Sequence, residues 1–180
     1  MSSKEKGVIL DRDGTLISER GDYNYLPEHV ELLPGVIENL WRLQSKGYLL
    51  FVATNQGGIA KGLYSHEHVK EVHDHLDAIF KKRGIEIADW HYSPDHDSLE
   101  DSHWRKPNPG MMEDIIRDYQ LDPQLTWVVG DKDRDIQAGK KVGANTYLVR
   151  TNEGLGSFVA HVLQYHGIGP AKKEEQADNG

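Results

Sequence analysis

The chain has no cysteine, which excludes a disulfide framework and any thiolate metal site. No apolar run approaches the roughly 18–20 residues needed to cross a bilayer. The opening residues, MSSKEK, lack the apolar core of a secretion signal, so a cytoplasmic protein without membrane association is expected. Positive charge is also scarce: 21 Lys and Arg stand against 29 Asp and Glu, a formal net charge of -8. That balance disfavours nucleic acid and anionic membrane as general partners. A small anionic ligand stays open, because a few local cations can reverse the field inside a cleft. There is no internal repeat, no low-complexity tract and no shift of composition that would mark a second domain. With 180 residues, 37% of them hydrophobic, the chain can bury one real core. Residues 1–170 are expected to form a single domain and a monomer, with 171–180, charged and poor in apolar side chains, as a disordered tail.

What is present is an alternation of strand-like and helix-like stretches. Residues 8–11, 48–54, 85–92, 125–129 and 144–149 read as strands, the first and second as apolar runs of the kind buried on both faces of a parallel sheet. Between them lie amphipathic helices: one opened by Pro34-Gly35, one capped by Ser65 with a stripe of Val69, Val72, Leu76 and Phe80, one from Asn108-Pro109, and a short one reaching about Val142. A last helix is expected over 158–165. This order implies right-handed βαβ crossovers and an α/β fold, a doubly wound, mostly parallel sheet without a large cap domain. About 40 residues separate Asp13 from Thr54 and about 50 separate Thr54 from Lys106, each largely used by a helix and a strand.

Three strands end in polar groups, Asp11 with Asp13, Thr54 with Asn55, and Asp131, at the edge where open α/β sheets place their chemistry, and a fourth group, around Lys106, follows a polar loop and precedes a helix. Asp11 and Asp13 are two residues apart, so they point the same way if the backbone stays extended through Arg12. Two adjacent carboxylates repel, and a divalent cation, a shared proton or a lysine relieves them. A carboxylate can attack phosphorus to give an acyl phosphate; a second can protonate the leaving oxygen and then activate water. Thr54-Asn55 offers a hydroxyl and backbone N–H groups to phosphoryl oxygens, although it also suits a plain turn. Lys106 supplies a compact charge before a helix, and also reads as half of an exposed basic pair. Asp131 can join Asp11 on a hard cation such as Mg²⁺, which takes oxygen ligands; acidic residues at a helix start are equally favoured by the dipole.

Together, in this order, Asp11/Asp13, Thr54, Lys106 and Asp131/Asp135 resemble the four motifs of the haloacid dehalogenase-like phosphohydrolases, over nearly the whole chain to about Thr151. The wording between them, Asp-Arg-Asp-Gly-Thr at 11–15, Thr-Asn-Gln-Gly-Gly-Ile-Ala-Lys-Gly at 54–62 and Arg-Lys-Pro-Asn-Pro-Gly-Met at 105–111, is similar to the heptose-1,7-bisphosphate 7-phosphatase branch. The histidinol-phosphatase branch is its nearest relative. The resemblance implies a phosphomonoesterase acting on a small phosphorylated sugar, with Asp11 as nucleophile, Asp13 as acid/base, and Thr54 and Lys106 on the phosphoryl group. It implies Mg²⁺ on Asp11, the backbone carbonyl of Asp13, and Asp131. Substrate contacts fall at Glu19, Arg20, Gly21, Asp22, Asn55, Gln56, Gly57, Arg105 and Lys132. A phospho-accepting receiver module shares a strand-end Asp, Thr, Lys and Mg²⁺, but its acidic pair would precede the phosphorylated Asp.

Many members of the branch carry a structural zinc site before the Arg-Lys-Pro motif. The matching positions here, Ser93, Asp95, Ser102 and Trp104, are not a zinc set, since such sites need Cys or His with an occasional carboxylate. The expected zinc is therefore absent, and the loop is expected to be held by hydrogen bonds and by packing of Trp104 or Trp90. His91, His96 and His103, with Asp95, are the one set from which a replacement site could be built.

Overall fold

A computed structural model describes residues 4–97 and 102–165. Five parallel strands form one sheet in the order β3-β2-β1-β4-β5: β1 (Gly7–Leu10), β2 (Leu49–Asn55), β3 (Ile87–Ser93), β4 (Trp127–Gly130) and β5 (Asn145–Leu148). Strand β1 is central, pairing Val8 with Leu50 on one side and with Trp127 on the other.

Alternation along the strands explains why both faces are covered. Val8, Leu10, Leu50, Val52 and Val129 enter one core with α1 (Val36–Ser45), α2 (His66–Lys81) and α5 (Gly156–Tyr165). Ile9, Phe51, Ala53 and Val128 enter the other, against Met111, Met112 and Ile115 of α3 (Gly110–Asp118) and Ala138 of α4 (Asp133–Lys141). Each fully buried side chain of this size contributes about 1.5–3 kcal/mol, and a strand buried on both sides requires an apolar residue at every position. The doubly wound sheet is as expected, and among the described residues no helix is long and apolar enough to cross a membrane.

Local chemistry sets the boundaries. The Ser65 hydroxyl accepts from the His68 amide at 3.4 Å, and the His68 ring accepts from the Ser65 amide at 3.0 Å, a reciprocal cap for α2. Several boundaries differ from the sequence reading. Helix α3 begins at Gly110 with Pro109 as its cap residue, because the Asn108 amide donates to Ser102 O at 2.7 Å instead of capping. Residues 123–125 form a 3-10 turn, held by Asp122 accepting from the Gln124 amide at 3.0 Å, so β4 starts only at Trp127. The third strand starts at Ile87, and α5 at Gly156. The tail expected at 171–180 lies outside the described residues.

Candidate active site

Because β2, β1 and β4 are adjacent and parallel, their carboxyl ends gather Thr54, Asp11 and Asp131 at one edge. The Asp11 amide donates to Val129 O at 2.9 Å, which carries the ladder one residue past β1. Lys106 arrives from the connection after β3. Its Nζ donates to Asp11 Oδ1 at 3.0 Å, to Ala53 O at 2.7 Å and to Asp135 Oδ1 at 2.5 Å, and the residue is 1% exposed. Asn55 fixes its backbone, accepting from the Lys106 amide at 3.0 Å and donating to the Lys106 carbonyl at 2.9 Å.

These charges are crowded. Burial, then the charge of Asp135, pushes the Asp11 carboxyl up to about 6, against the opposing pull of Lys106. Burial and then Asp11 raise Asp131. Burial opposes the Lys106 charge, but Asp11 and Asp135 outweigh it and hold the ammonium above its ordinary value. One oxygen each of Asp11, Asp131 and Asp135 lie within 4.8 Å of one another. Asp131 Oδ1 is buried without a hydrogen-bond partner, whereas Oδ2 accepts from Thr151 at 2.7 Å. An orphaned carboxylate oxygen beside a second raised carboxylate is what a hard divalent cation satisfies. Asp135 is differently placed: Oδ1 is on Lys106, and Oδ2 accepts from the Lys132 amide at 3.1 Å. The residues therefore fit Mg²⁺, with Asp11 and Asp131 as the carboxylates left for it.

Asp13 sits in a cage of donors. Arg12 Nε reaches its Oδ2 at 3.1 Å and Arg12 Nη2 its Oδ1 at 3.3 Å; Asn24 Nδ2 donates to Oδ1 at 2.7 Å and Gln56 Nε2 to Oδ2 at 3.0 Å. Arg12 is fully buried, with Nη1 against His73 Nε2 at 3.2 Å and Nη2 on Asn24 O at 2.8 Å. Gln56 also donates to Thr54 Oγ1 at 2.9 Å and accepts from Tyr64 Oη at 2.7 Å.

A cavity of about 320 Å³ opens over these carboxylates. Asp11, Asp13, Thr54, Glu19, Gly21, Asp22, Asn55, Gln56 and Lys132 all line it, as do Tyr23, Asn24 and Arg134, which the sequence reading did not single out. The flap over it is fastened at its start: Asn152 accepts from the Glu19 amide at 2.7 Å and donates to the Glu19 carbonyl at 2.9 Å. Lys132 Nζ lies 3.2 Å from Asp131 and 3.4 Å from Glu19.

Three expected substrate contacts sit elsewhere. Arg20 is exposed and off the cavity wall. The Arg105 guanidinium is bonded to the Asp97 carboxylate and, at 2.9 Å, to Asp95 O. Gly57 lies behind the wall: a Cβ there would be 3.1 Å from Arg105 Nη1 and from Asp95 O.

Around the loop before Lys106, His91 Nε2 meets Asp89 at 3.1 Å and His103 Nε2 meets Glu113 at 2.6 Å. Two of the three histidines are thus engaged with separate carboxylates. Trp104 is 5.7 Å from the His91 ring, and Trp90 stacks on His73 at 4.8 Å. Residues 98–101 lie outside the described residues.

A nucleophile-like aspartate after the central strand, a buried lysine from a distant loop and an acidic pair after β4 define a haloacid dehalogenase-like phosphohydrolase. The family model described as HAD-hydrolase-like matches residues 103–164. Among curated relatives, a D-glycero-beta-D-manno-heptose-1,7-bisphosphate 7-phosphatase of Pasteurella multocida is 36% identical over 157 residues, covering 84% of this chain and 85% of its own. The D-glycero-alpha-D-manno-heptose-1,7-bisphosphate 7-phosphatase of Burkholderia mallei is 35% identical over 152 residues, covering 81% and 80%. The crystal structure of the D,D-heptose 1,7-bisphosphate phosphatase of B. bronchiseptica, complexed with magnesium and phosphate, is similar with a TM-score of 0.82 and 28% identity, over 89% of this chain and 99% of that one. The chain belongs to the heptose-1,7-bisphosphate 7-phosphatase family, and it is a phosphatase.

Proposed function

We propose that the chain removes the 7-phosphate of D-glycero-D-manno-heptose 1,7-bisphosphate through an aspartyl-phosphate on Asp11. The observation that carries the reading is Lys106 Nζ bridging Asp11 and Asp135 at 3.0 and 2.5 Å beside the unpartnered oxygen of Asp131. Mg²⁺ would be held by Asp11, Asp131 and the backbone carbonyl of Asp13, and when bound it supplies positive charge to the phosphoryl oxygens. An Asp11 oxygen bonds to phosphorus as the phosphorus–sugar oxygen bond breaks, and Asp13 gives its proton to that leaving oxygen. Water then attacks the aspartyl-phosphate, Asp13 takes the water's proton, and phosphate leaves. Lys106 and the Thr54 hydroxyl stabilise the charge spread over the phosphoryl oxygens. The wall of Glu19, Gly21, Asp22, Asn55 and Lys132 faces the sugar.

The chain acts as a single-domain cytoplasmic monomer. It carries no structural zinc, because Ser93, Asp95, Ser102 and Trp104 replace the ligand set and two of the nearby histidines are engaged elsewhere; stoichiometric zinc in purified protein would overturn this. A substrate panel tests the function. The highest kcat/KM is expected for heptose bisphosphate; a higher value for histidinol phosphate would reassign the substrate, and phosphorylation without turnover would point to a receiver-like module.

A further inference from the structure

We propose that Asn24, in the flap, is the positioning residue of the acid/base carboxylate, so that the flap and Asp13 form one unit; this rests on the acid/base reading of Asp13. Asn24 acts on Asp13 along two routes. Its Nδ2 donates directly to Asp13 Oδ1 at 2.7 Å. Its backbone carbonyl accepts from Arg12 Nη2 at 2.8 Å, and the same nitrogen lies 3.3 and 3.0 Å from the two Asp13 oxygens. The flap therefore steers the strongest donor on Asp13 as well as supplying one of its own.

The orientation of the amide is determined. Both of its N–H groups meet acceptors, Asp13 Oδ1 and, at 2.8 Å, Ser18 O. A flipped amide would set an oxygen against two oxygens. This orientation leaves Asn24 Oδ1 buried without a donor, which is unfavourable. A residue serving only to pack the flap would not need an amide that leaves its own oxygen unsatisfied. The amide is kept for its two donors, and one of them fixes Asp13. A carboxyl group reaches the leaving oxygen of a substrate at hydrogen-bond distance only from a narrow range of side-chain torsions. Gln56 holds Oδ2, Arg12 reaches both oxygens, and Asn24 makes the shorter contact on Oδ1. Asn24 touches no reacting atom in this scheme and acts through Asp13.

Leaving-group dependence tests this, because a proton donor matters for an alcohol leaving group and hardly at all for a nitrophenolate. Single-turnover formation of the aspartyl-phosphate is measured with a sugar phosphate and with p-nitrophenyl phosphate. Asn24→Ala is expected to slow the sugar phosphate about 10- to 100-fold, a share of what general acid catalysis supplies, while leaving the aryl ester nearly unchanged. Asn24→Leu, of similar size but without the two donors or a new charge, is expected to show the same split and serves if the alanine variant does not fold. An equal loss on both substrates in the folded variant overturns the proposal by making Asn24 a structural residue only. Asp13→Asn is the control. If it too slows both substrates equally, the acid/base reading of Asp13 fails; if it discriminates and the Asn24 variants do not, only the role of Asn24 fails.

Discussion

Arg12 Nη1 donates a hydrogen bond to His73 Nε2 at 3.2 Å, joining the residue between the two active-site aspartates to the middle of α2. A guanidinium has no acceptor, so the His73 ring accepts at Nε2 and carries its proton on Nδ1. Burial first, and then the Arg12 charge, hold the His73 pKa well below 6.5. In the unfolded chain the same ring titrates near its ordinary value of about 6.5. Below that pH the unfolded state therefore binds a proton that the folded state refuses, and stability falls as pH falls. The slope is about 1.4 kcal/mol per pH unit until the folded ring itself protonates. Urea denaturation at pH 5 and pH 8 is expected to show a smaller pH effect in His73→Gln, which keeps an acceptor but does not titrate; identical pH dependence in the two proteins would count against it.

Asp11 has the opposite sign. Its carboxyl is raised to about 6, so between its ordinary value of 3.8 and 6 the folded protein holds a proton that the unfolded chain releases. Folded stability is then lost as pH rises through that window, and a bound cation restores it. The rise in melting temperature caused by Mg²⁺ is expected to be larger at pH 8 than at pH 5, by differential scanning fluorimetry, and to be largely gone in Asp131→Ala. A pH-independent shift would mean that Mg²⁺ binds elsewhere.

Lys106 is the sole ammonium that bridges Asp11 and Asp135 among the described residues, and it is almost fully buried. Lys106→Met leaves two carboxylates unpaired, and breaking a buried pair costs about 3–5 kcal/mol. Activity is expected to fall by at least about 100-fold, the scale of removing one preorganised charge contact. Denaturant midpoint and kcat together check this.

Gly14 has φ +84, and a Cβ there would stand 2.4 Å from Asp131 Oδ2. Gly14→Ala thus combines a left-handed backbone cost of about 1–2 kcal/mol with displacement of the metal-site carboxylate. The variant is expected to lose most of its Mg²⁺-dependent thermal shift as well as its turnover. Isothermal titration with Mg²⁺ showing wild-type affinity would refute the displacement.

Much of the site could be read from the order of residues because it sits on strand ends. In a parallel sheet, an apolar run followed by a polar residue places that residue on the reactive edge whatever the intervening loops do, and Asp11, Thr54 and Asp131 follow this rule. What could not be read depends on where long side chains turn. Arg12 carried no role in the sequence, but its buried side chain donates to both oxygens of Asp13. Arg105 looked like a substrate contact, yet Asp97 and Asp95 O hold it. Asp135 was visible as part of a motif, while its grip on Lys106 needed the fold, since nothing local joins positions 29 residues apart. Asn24 had no local signal: its place comes from a flap fastened at Glu19 to Asn152, a residue far away in the chain.

That fastening has a consequence for how the enzyme could change its diet. The flap is pinned at Glu19 by Asn152 and at Asn24 by Asp13, and Gly21, between the pins, has nothing within 4 Å of where a Cβ would stand. Residues 20–22 are thus a short replaceable span, anchored at one end on Asn152 and at the other on Asp13 through Asn24, with open space at Gly21, whereas Tyr23 packs on Tyr64. On the proposed reading, such a span is a cassette: exchange of its side chains is expected to alter which sugar is accepted while Asp13 beneath stays in register.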